Sequence, residues 1–203
     1  MSKSSRKKNH SNPQPRSTAS GTLRIVGGKH RGRKLSIPAL DGLRPTSDRV
    51  RETLFNWLQF ELAGMSVVDL FAGTGALGLE ALSRGAKQVD FVEPQRLAAQ
   101  GIQQSLSVLA ETEAQVHIKT AQAFLLEQPT KVDLIFVDPP FALGLWDQTL
   151  SALVEQDCLN NGGYVYLESP KTQPINLPNG FVVVKDKTAG NVRFQLLQLR
   201  SSS

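Results

Sequence analysis

Two short stretches hold residue types that could do chemistry. Asp138-Pro139-Pro140-Phe141 sets a carboxylate, two rigid residues and an aromatic ring in a row. A carboxylate and the carbonyl of Pro139 could accept both N–H bonds of an exocyclic base amine. Such an amine is a poor nucleophile because its lone pair is delocalised into the ring. Fixing its two N–H bonds would aim the lone pair at an electrophilic carbon, a gain from orientation and a preorganised polar site. Phe141 could stack on a flipped or unpaired base. Asp138 could also take the proton as positive charge develops, or pass it to water. These are the requirements of methyl transfer to a base amine.

The second stretch is Val67-Val68-Asp69-Leu70-Phe71-Ala72-Gly73-Thr74-Gly75-Ala76-Leu77-Gly78. It reads as a buried strand, a glycine turn and a helix. Glycines at a strand end permit unusual torsions and let a ligand approach without a Cβ in the way. Glu93, 20 residues after Gly73, ends the next strand, where its carboxylate could accept from both hydroxyls of a ribose. Two cofactor classes fit. Gly73-x-Gly75-x-x-Gly78 matches the dinucleotide fingerprint. S-adenosylmethionine uses a similar strand, loop and helix. Asp69 favours the second, because a carboxylate four residues before Gly73 would repel a pyrophosphate at the helix N-terminus and attract a sulfonium and an ammonium. A phosphate-cradling P-loop is excluded, since no Gly-Lys-Ser/Thr follows the glycines.

The elements that must position these groups follow from periodicity. Strands are expected at 66–70, 88–92, 115–118, 132–137, 162–168, 181–185 and 193–199, with helices at 76–84, 94–110, 120–127 and 144–157. The alternation predicts a Rossmann-like α/β fold with a mainly parallel sheet and helices on both faces. No helix is expected between the last two strands, so the sheet should close on an antiparallel hairpin. Two prolines cannot continue a central strand, so Asp138 turns out at the same carboxyl edge as Gly73. Ligands in such sheets bind beyond that edge, where the strand order switches.

Ahead of this domain, Leu23-Arg24-Ile25-Val26 and a strand ending before Pro38 suggest a small basic hairpin. A helix should run from Ser47 or Asp48 to about Leu62, burying Val50, Leu54, Trp57, Leu58 and Leu62. Residues 1–51 hold 13 Lys/Arg against two Asp/Glu, a net of +11, while the remainder of a chain of net charge +5 nets −6. A polyanion met through the N-terminal quarter is the implication. Residues 1–20, almost without apolar side chains, are expected to be a disordered basic tail. The division is then 1–20 tail, 21–63 basic hairpin and helix, and 64–203 catalytic domain. The single cysteine, Cys158, reads as a core filler. Without a signal segment or an 18-residue apolar run, the cytoplasm is expected and no membrane association. A monomer without bound metal is expected.

Taken together these motifs resemble a known family. Asp69-Leu-Phe-Ala-Gly-Thr-Gly is similar to the first motif of class I S-adenosylmethionine-dependent methyltransferases. Asp138-Pro-Pro-Phe resembles the motif of the branch that methylates exocyclic amines. Arg24-Ile-Val-Gly-Gly-Lys-His-Arg-Gly-Arg-Lys-Leu, with Leu43-Arg-Pro-Thr-Ser-Asp-Arg-Val-Arg-Glu-Thr-Leu-Phe-Asn-Trp-Leu, looks like the bacterial RsmD family over residues 22–200. The resemblance implies methylation of the exocyclic amine (N2) of one guanine in 16S ribosomal RNA, either free or in a small-subunit assembly intermediate. It implies the seven-stranded class I sheet with its last strand antiparallel. Asp69, Phe71, Gly73 and Gly75 would surround S-adenosylmethionine, with Glu93 on its ribose. Where such enzymes often carry Asp or Asn before Ala to bind the adenine amine, this chain has Thr120-Ala121-Gln122, so Thr120 beside Ala121 would meet the adenine as a weaker acceptor, or Gln122 would take its place. Asp138, Pro139 and Phe141 would hold the target base. The basic run itself, apart from the resemblance, sets Arg24, Arg31, Arg33, Lys34 and Arg44 toward RNA phosphates, while Arg49 and Arg51 could either face a phosphate or pair with acids. A DNA or protein amine methyltransferase shares the same motif, and a non-catalytic RNA-binding assembly factor and an NAD-linked oxidoreductase stand further off.

Overall fold

The apolar runs 67–70 and 132–137 become the two central strands of a seven-stranded sheet. The computed structural model describes residues 21–38, 47–127 and 130–200. The tail at 1–20 and Arg44 lie outside the described residues. Within them, β1 (Gly21–Arg24) and β2 (Lys34–Ile37) form an antiparallel hairpin, and α1 spans Asp48–Trp57. There follow β3 (Ser66–Asp69), α2 (Ala76–Ser83), β4 (Gln88–Val92), α3 (Arg96–Leu109), β5 (Ala114–His117), α4 (Ala121–Glu127) and β6 (Val132–Val137). The chain ends in α5 (Trp146–Glu155), β7 (Leu159–Pro170), β8 (Phe181–Ala189) and β9 (Val192–Leu199).

The strand order is β5-β4-β3-β6-β7-β9-β8, and only β9 runs against its neighbours. This is the mostly parallel sheet with a reversed last strand and an N-terminal hairpin expected from the sequence. Residues on one strand alternate between faces. Val67, Phe91, Phe136, Tyr166 and Phe194 therefore meet α1, α2 and α3 on one side. Val68, Val92, Ile135, Val137, Val165 and Leu167 meet α4 and α5 on the other. Strands covered on both faces need no polar alternation, which is why β3 and β6 read as continuous apolar runs.

The hairpin shares this core. Leu23, Ile25, Leu35 and Ile37 pack in the same cluster as Leu54, Phe55, Leu79 and Phe136. Each buried aliphatic side chain of this kind contributes about 1.5–3 kcal/mol. The helix expected to reach Leu62 stops at Trp57. Leu58, at φ −96° and ψ 3°, leaves helical geometry, and the chain continues in turns held by Glu61 N and Leu62 N donating to Leu58 O. Those turns still bury Leu58 and Leu62, so the helical spacing of the apolar residues survives where the helix does not. Cys158 is buried in the second cluster, and burial, reinforced by Asp157, pushes its thiol up to about 11. Among the described residues, no helix is long and apolar enough to cross a membrane.

Candidate active site

β3, β4 and β5 step outward in one direction, and β6 returns to the other side of β3. The carboxyl ends of β3 and β6 thus flank the switch point, where an open α/β sheet binds its ligand. Both sequence motifs emerge there.

The three glycines of the loop do different work. Gly73 and Gly75 have φ of +53° and +79°, in the left-handed region that glycine adopts without strain. Gly75 is the N-cap of α2, and a Cβ on it would press Ile102 and Leu79 at 3.1 and 3.2 Å. Gly78 lies within α2, and a Cβ there would come within 2.2 Å of the Phe91 ring. It sets how closely helix and sheet approach. Asp69 fixes the loop from beneath. It is 3% exposed, and its Oδ2 accepts from Gly78 N at 2.9 Å, satisfying an N–H of the first turn that has no helical partner. Burial pushes its carboxyl up to about 7, against the pull of the Gly78 N–H and with a further push from Glu93. Asp69 is therefore placed to shape the loop and set its charge and not to be an exposed acceptor. Phe71 is half-buried beside the second cluster.

Glu93 ends β4 with its carboxylate held at both oxygens. Gly73 N donates to Oε2 at 2.9 Å and Gln95 N to Oε1 at 2.7 Å. Burial raises its pKa, while the Gln95 and Gly73 N–H groups oppose the rise. Each oxygen keeps a further lone pair, the arrangement needed for paired ribose hydroxyls. Thr120 is exposed, and its Oγ1 accepts from Ala123 N at 3.2 Å across the start of α4. Its hydroxyl proton is left as its donor, and Ala121 beside it is buried. The carboxylates of Asp69 and Glu93, beside a loop at residues 70–75 that carries no cation, fit S-adenosylmethionine, which is positively charged and has no phosphate.

Beyond β6 the chain turns through Asp138, buried Pro139 and exposed Pro140 into a short 3-10 turn, Phe141–Leu143. Phe141 is 39% exposed, and its ring lies 5.8 Å from that of buried Trp146, tilted by 54°. Trp146 Nε1 donates to Glu168 O at 2.8 Å, and Tyr166 Oη donates to Glu168 Oε2 at 2.8 Å. Burial holds the Tyr166 phenol well above its ordinary pKa, and the charges of Glu168 and Asp138 add to the shift. Glu168 and Tyr166 were missed from the sequence. The available signal was an acid and a proline closing an apolar run, Tyr164-Val-Tyr-Leu-Glu168-Ser-Pro170, the same pattern that marks Asp138.

The basic residues divide. Arg24, Arg31, Arg33 and Lys34 are exposed on the hairpin, and Arg49 is exposed on α1. Of the two roles open to Arg51, the structure gives pairing with acids and not a phosphate contact: it is 1% exposed and does not reach the surface that a phosphate would meet. Its Nη2 donates to Arg24 O at 2.8 Å and Asp48 Oδ1 at 2.5 Å, and its Nη1 lies 3.9 Å from Glu80 Oε2. Residues two apart on a helix do not face the same way, so Arg49 and Arg51 cannot both look outward. The hairpin itself is bolted to α2. Val26 N donates to Glu80 Oε2 at 2.8 Å, His30 N to Ser83 Oγ at 2.9 Å, and Ser83 Oγ to Gly27 O at 2.6 Å. Lys29 and His30 reach Glu111 beyond α3 at 3.0 and 2.6 Å.

The profile of the family described as conserved hypothetical protein 95 matches residues 23–198 of this chain. A protein of Escherichia coli (strain K12) named ribosomal RNA small subunit methyltransferase D is 41% identical over 186 residues, 91% of this chain and 94% of that protein. A Haemophilus influenzae protein of the same name is 40% identical over 184 residues, 89% of this chain and 95% of that protein. The solved structure of the Escherichia coli protein yhhF superposes with a TM-score of 0.83 at 38% identity, covering 90% of this chain and 100% of that one.

Proposed function

The chain belongs to the family described as conserved hypothetical protein 95, the RsmD family, and from that membership we propose that it transfers a methyl group from S-adenosylmethionine to the exocyclic N2 amine of a guanine in 16S ribosomal RNA. The observation that carries this reading is the meeting of Asp138-Pro139-Pro140-Phe141 with the glycine loop and Glu93 at one carboxyl edge, across the switch point between β3 and β6.

S-adenosylmethionine, when bound, supplies an electrophilic methyl group on a sulfonium sulfur. Glu93, preset by Gly73 N and Gln95 N, holds the ribose. Thr120 and Ala121 border the adenine. Asp69 shapes the loop and contributes negative charge toward the cation. Asp138 and the Pro139 carbonyl accept the two N–H bonds of the guanine amine, so that its lone pair faces the methyl carbon. Phe141 stacks on the base, with Trp146 behind it. The new N–C bond would form as the S–CH3 bond breaks, its electron pair staying on sulfur so that S-adenosylhomocysteine leaves, and the proton shed by the nitrogen would pass to Asp138 or to water. Arg24, Arg31, Arg33, Lys34 and Arg49 grip RNA phosphates, where the guanidinium fork suits paired oxygens. Cytoplasmic ribosomal RNA, free or in an assembling small subunit, is the partner, and one chain suffices.

The test is primer extension across ribosomal RNA from a strain lacking this chain, after add-back of pure protein and S-adenosylmethionine. Wild-type protein should restore one modification stop. Asp138→Ala should bind the cofactor with near wild-type affinity and restore none. A stop restored by the variant would remove Asp138 from the mechanism.

A further inference from the structure

Glu168 is a buried carboxylate for which the chemistry above has no task. It lies one residue past Leu167, and Leu167 pairs with Val137, one residue before Asp138. Adjacent parallel strands are about 4.8 Å apart, so the two carboxylates leave the sheet side by side. Alternation puts both on the face that carries Phe136 and Tyr166. The Tyr166 hydroxyl feels both charges.

Glu168 is anchored at both ends. Its Oε2 accepts from Tyr166, and its carbonyl accepts from Trp146, the ring behind Phe141. The two bonds fix how the group stands at the carboxyl edge.

The edge of the base that carries the amine is decisive. In guanine the 2-amine adjoins N1–H, so two donors stand together. In adenine and cytosine the amine adjoins a bare ring nitrogen, an acceptor. A carboxylate facing that nitrogen meets lone pair with lone pair, and a polar group left unmatched in a buried site is costly. Resting on the methyl-transfer reading above, we propose that Glu168 accepts the N1–H of the target base while Asp138 accepts from its amine, which makes the site selective for guanine.

The test uses an RNA fragment containing the guanine mapped by primer extension. In a second copy that guanine is replaced by 2-aminopurine, which keeps the 2-amine and has a bare N1. The wild-type protein should lose at least roughly 100-fold in kcat/KM on the second RNA, as sites built to bond a polar hydrogen do. Glu168→Gln has an amide that can donate to a bare N1. It should be slower on guanine and narrow the ratio between the two RNAs by at least about tenfold. Equal use of the two RNAs by wild-type protein overturns the proposal, and that measurement needs no variant to fold. A Gln variant that slows both RNAs alike, leaving the ratio unchanged, reduces Glu168 to a structural support and also overturns it. Wild-type protein that binds S-adenosylmethionine but methylates neither RNA overturns the guanine reading itself.

Discussion

Asp69 concentrates the electrostatics of the site in one residue. Its carboxyl, ordinarily near 3.8, is pushed up to about 7 by burial and by Glu93, against the Gly78 N–H. A raised folded-state pKa means that the folded chain binds the proton more tightly. The stability gained from it is present below pH 3.8 and is lost as the pH rises through about 7. A bound cation reverses the preference, because it favours the ionised carboxylate. S-adenosylmethionine affinity should therefore strengthen by about tenfold between about pH 5.5 and about pH 7.5, with proton release on binding tracking the change. Asp69→Asn can keep the bond from Gly78 and should flatten that dependence in isothermal titration. A variant that keeps the wild-type slope would locate the titrating group elsewhere. The sequence showed Asp69 as an acid before glycines but not its burial, and so overstated it as a fixed charge. It also leaves open whether Arg49 and Arg51 face a phosphate or pair with acids. Only the docking of the hairpin onto α1 reveals that Arg51 is turned inward, against Arg24 O.

At the scale of elements, α2 joins the two halves of the function. Its first turn closes the glycine loop, and Glu80 and Ser83 at its far end hold the hairpin. Gly28, at φ +73°, is packed so closely that a Cβ would lie 1.9 Å from Ser83 O. Ser83→Ala strips buried partners from His30 N and Gly27 O. Since unsatisfied buried groups cost about 1–3 kcal/mol each, the urea midpoint should fall by an amount equivalent to about 2–4 kcal/mol. RNA affinity should drop with it while S-adenosylmethionine affinity holds, because the glycine loop lies at the opposite end of the helix. Equal loss of both would mean that the hairpin and the loop do not move independently. Strands β4 and β6 were legible residue for residue, since apolar runs bounded by turn residues leave little freedom. Contacts such as Glu80 with Val26, 54 residues apart, leave no trace in local periodicity. The end of α1 was misread for a related reason: Leu58 and Leu62 keep the helical spacing while sitting in turns.

Across the whole molecule, charge is segregated by role. The N-terminal 51 residues net +11 and the rest nets −6, and the carboxyl edge gathers Asp69, Glu93, Asp138 and Glu168. The asymmetry was plain in the sequence, but that the acids share one edge follows only from strand register. Such an edge attracts a sulfonium and the donor face of a base, and it repels phosphate. On the proposed function, the grip on the RNA backbone would then fall to the hairpin, which is exposed at Arg24, Arg31, Arg33 and Lys34. Each neutralised phosphate adds about 0.7–0.9 to the slope of log affinity against log salt. Replacing Arg31, Arg33 and Lys34 together by Ala should lower that slope by about two to three units. Their side chains are exposed, and the one side-chain hydrogen bond they make among the described residues, from Arg33 to Val108 O, is long at 3.4 Å, so folding should be little affected. Because the three sit on the hairpin, which is held at the far end of α2 from the glycine loop, KM for RNA should rise while kcat at saturating RNA stays near wild type. A fall in kcat with an unchanged salt slope would mean that the hairpin orders the active site rather than holding the substrate.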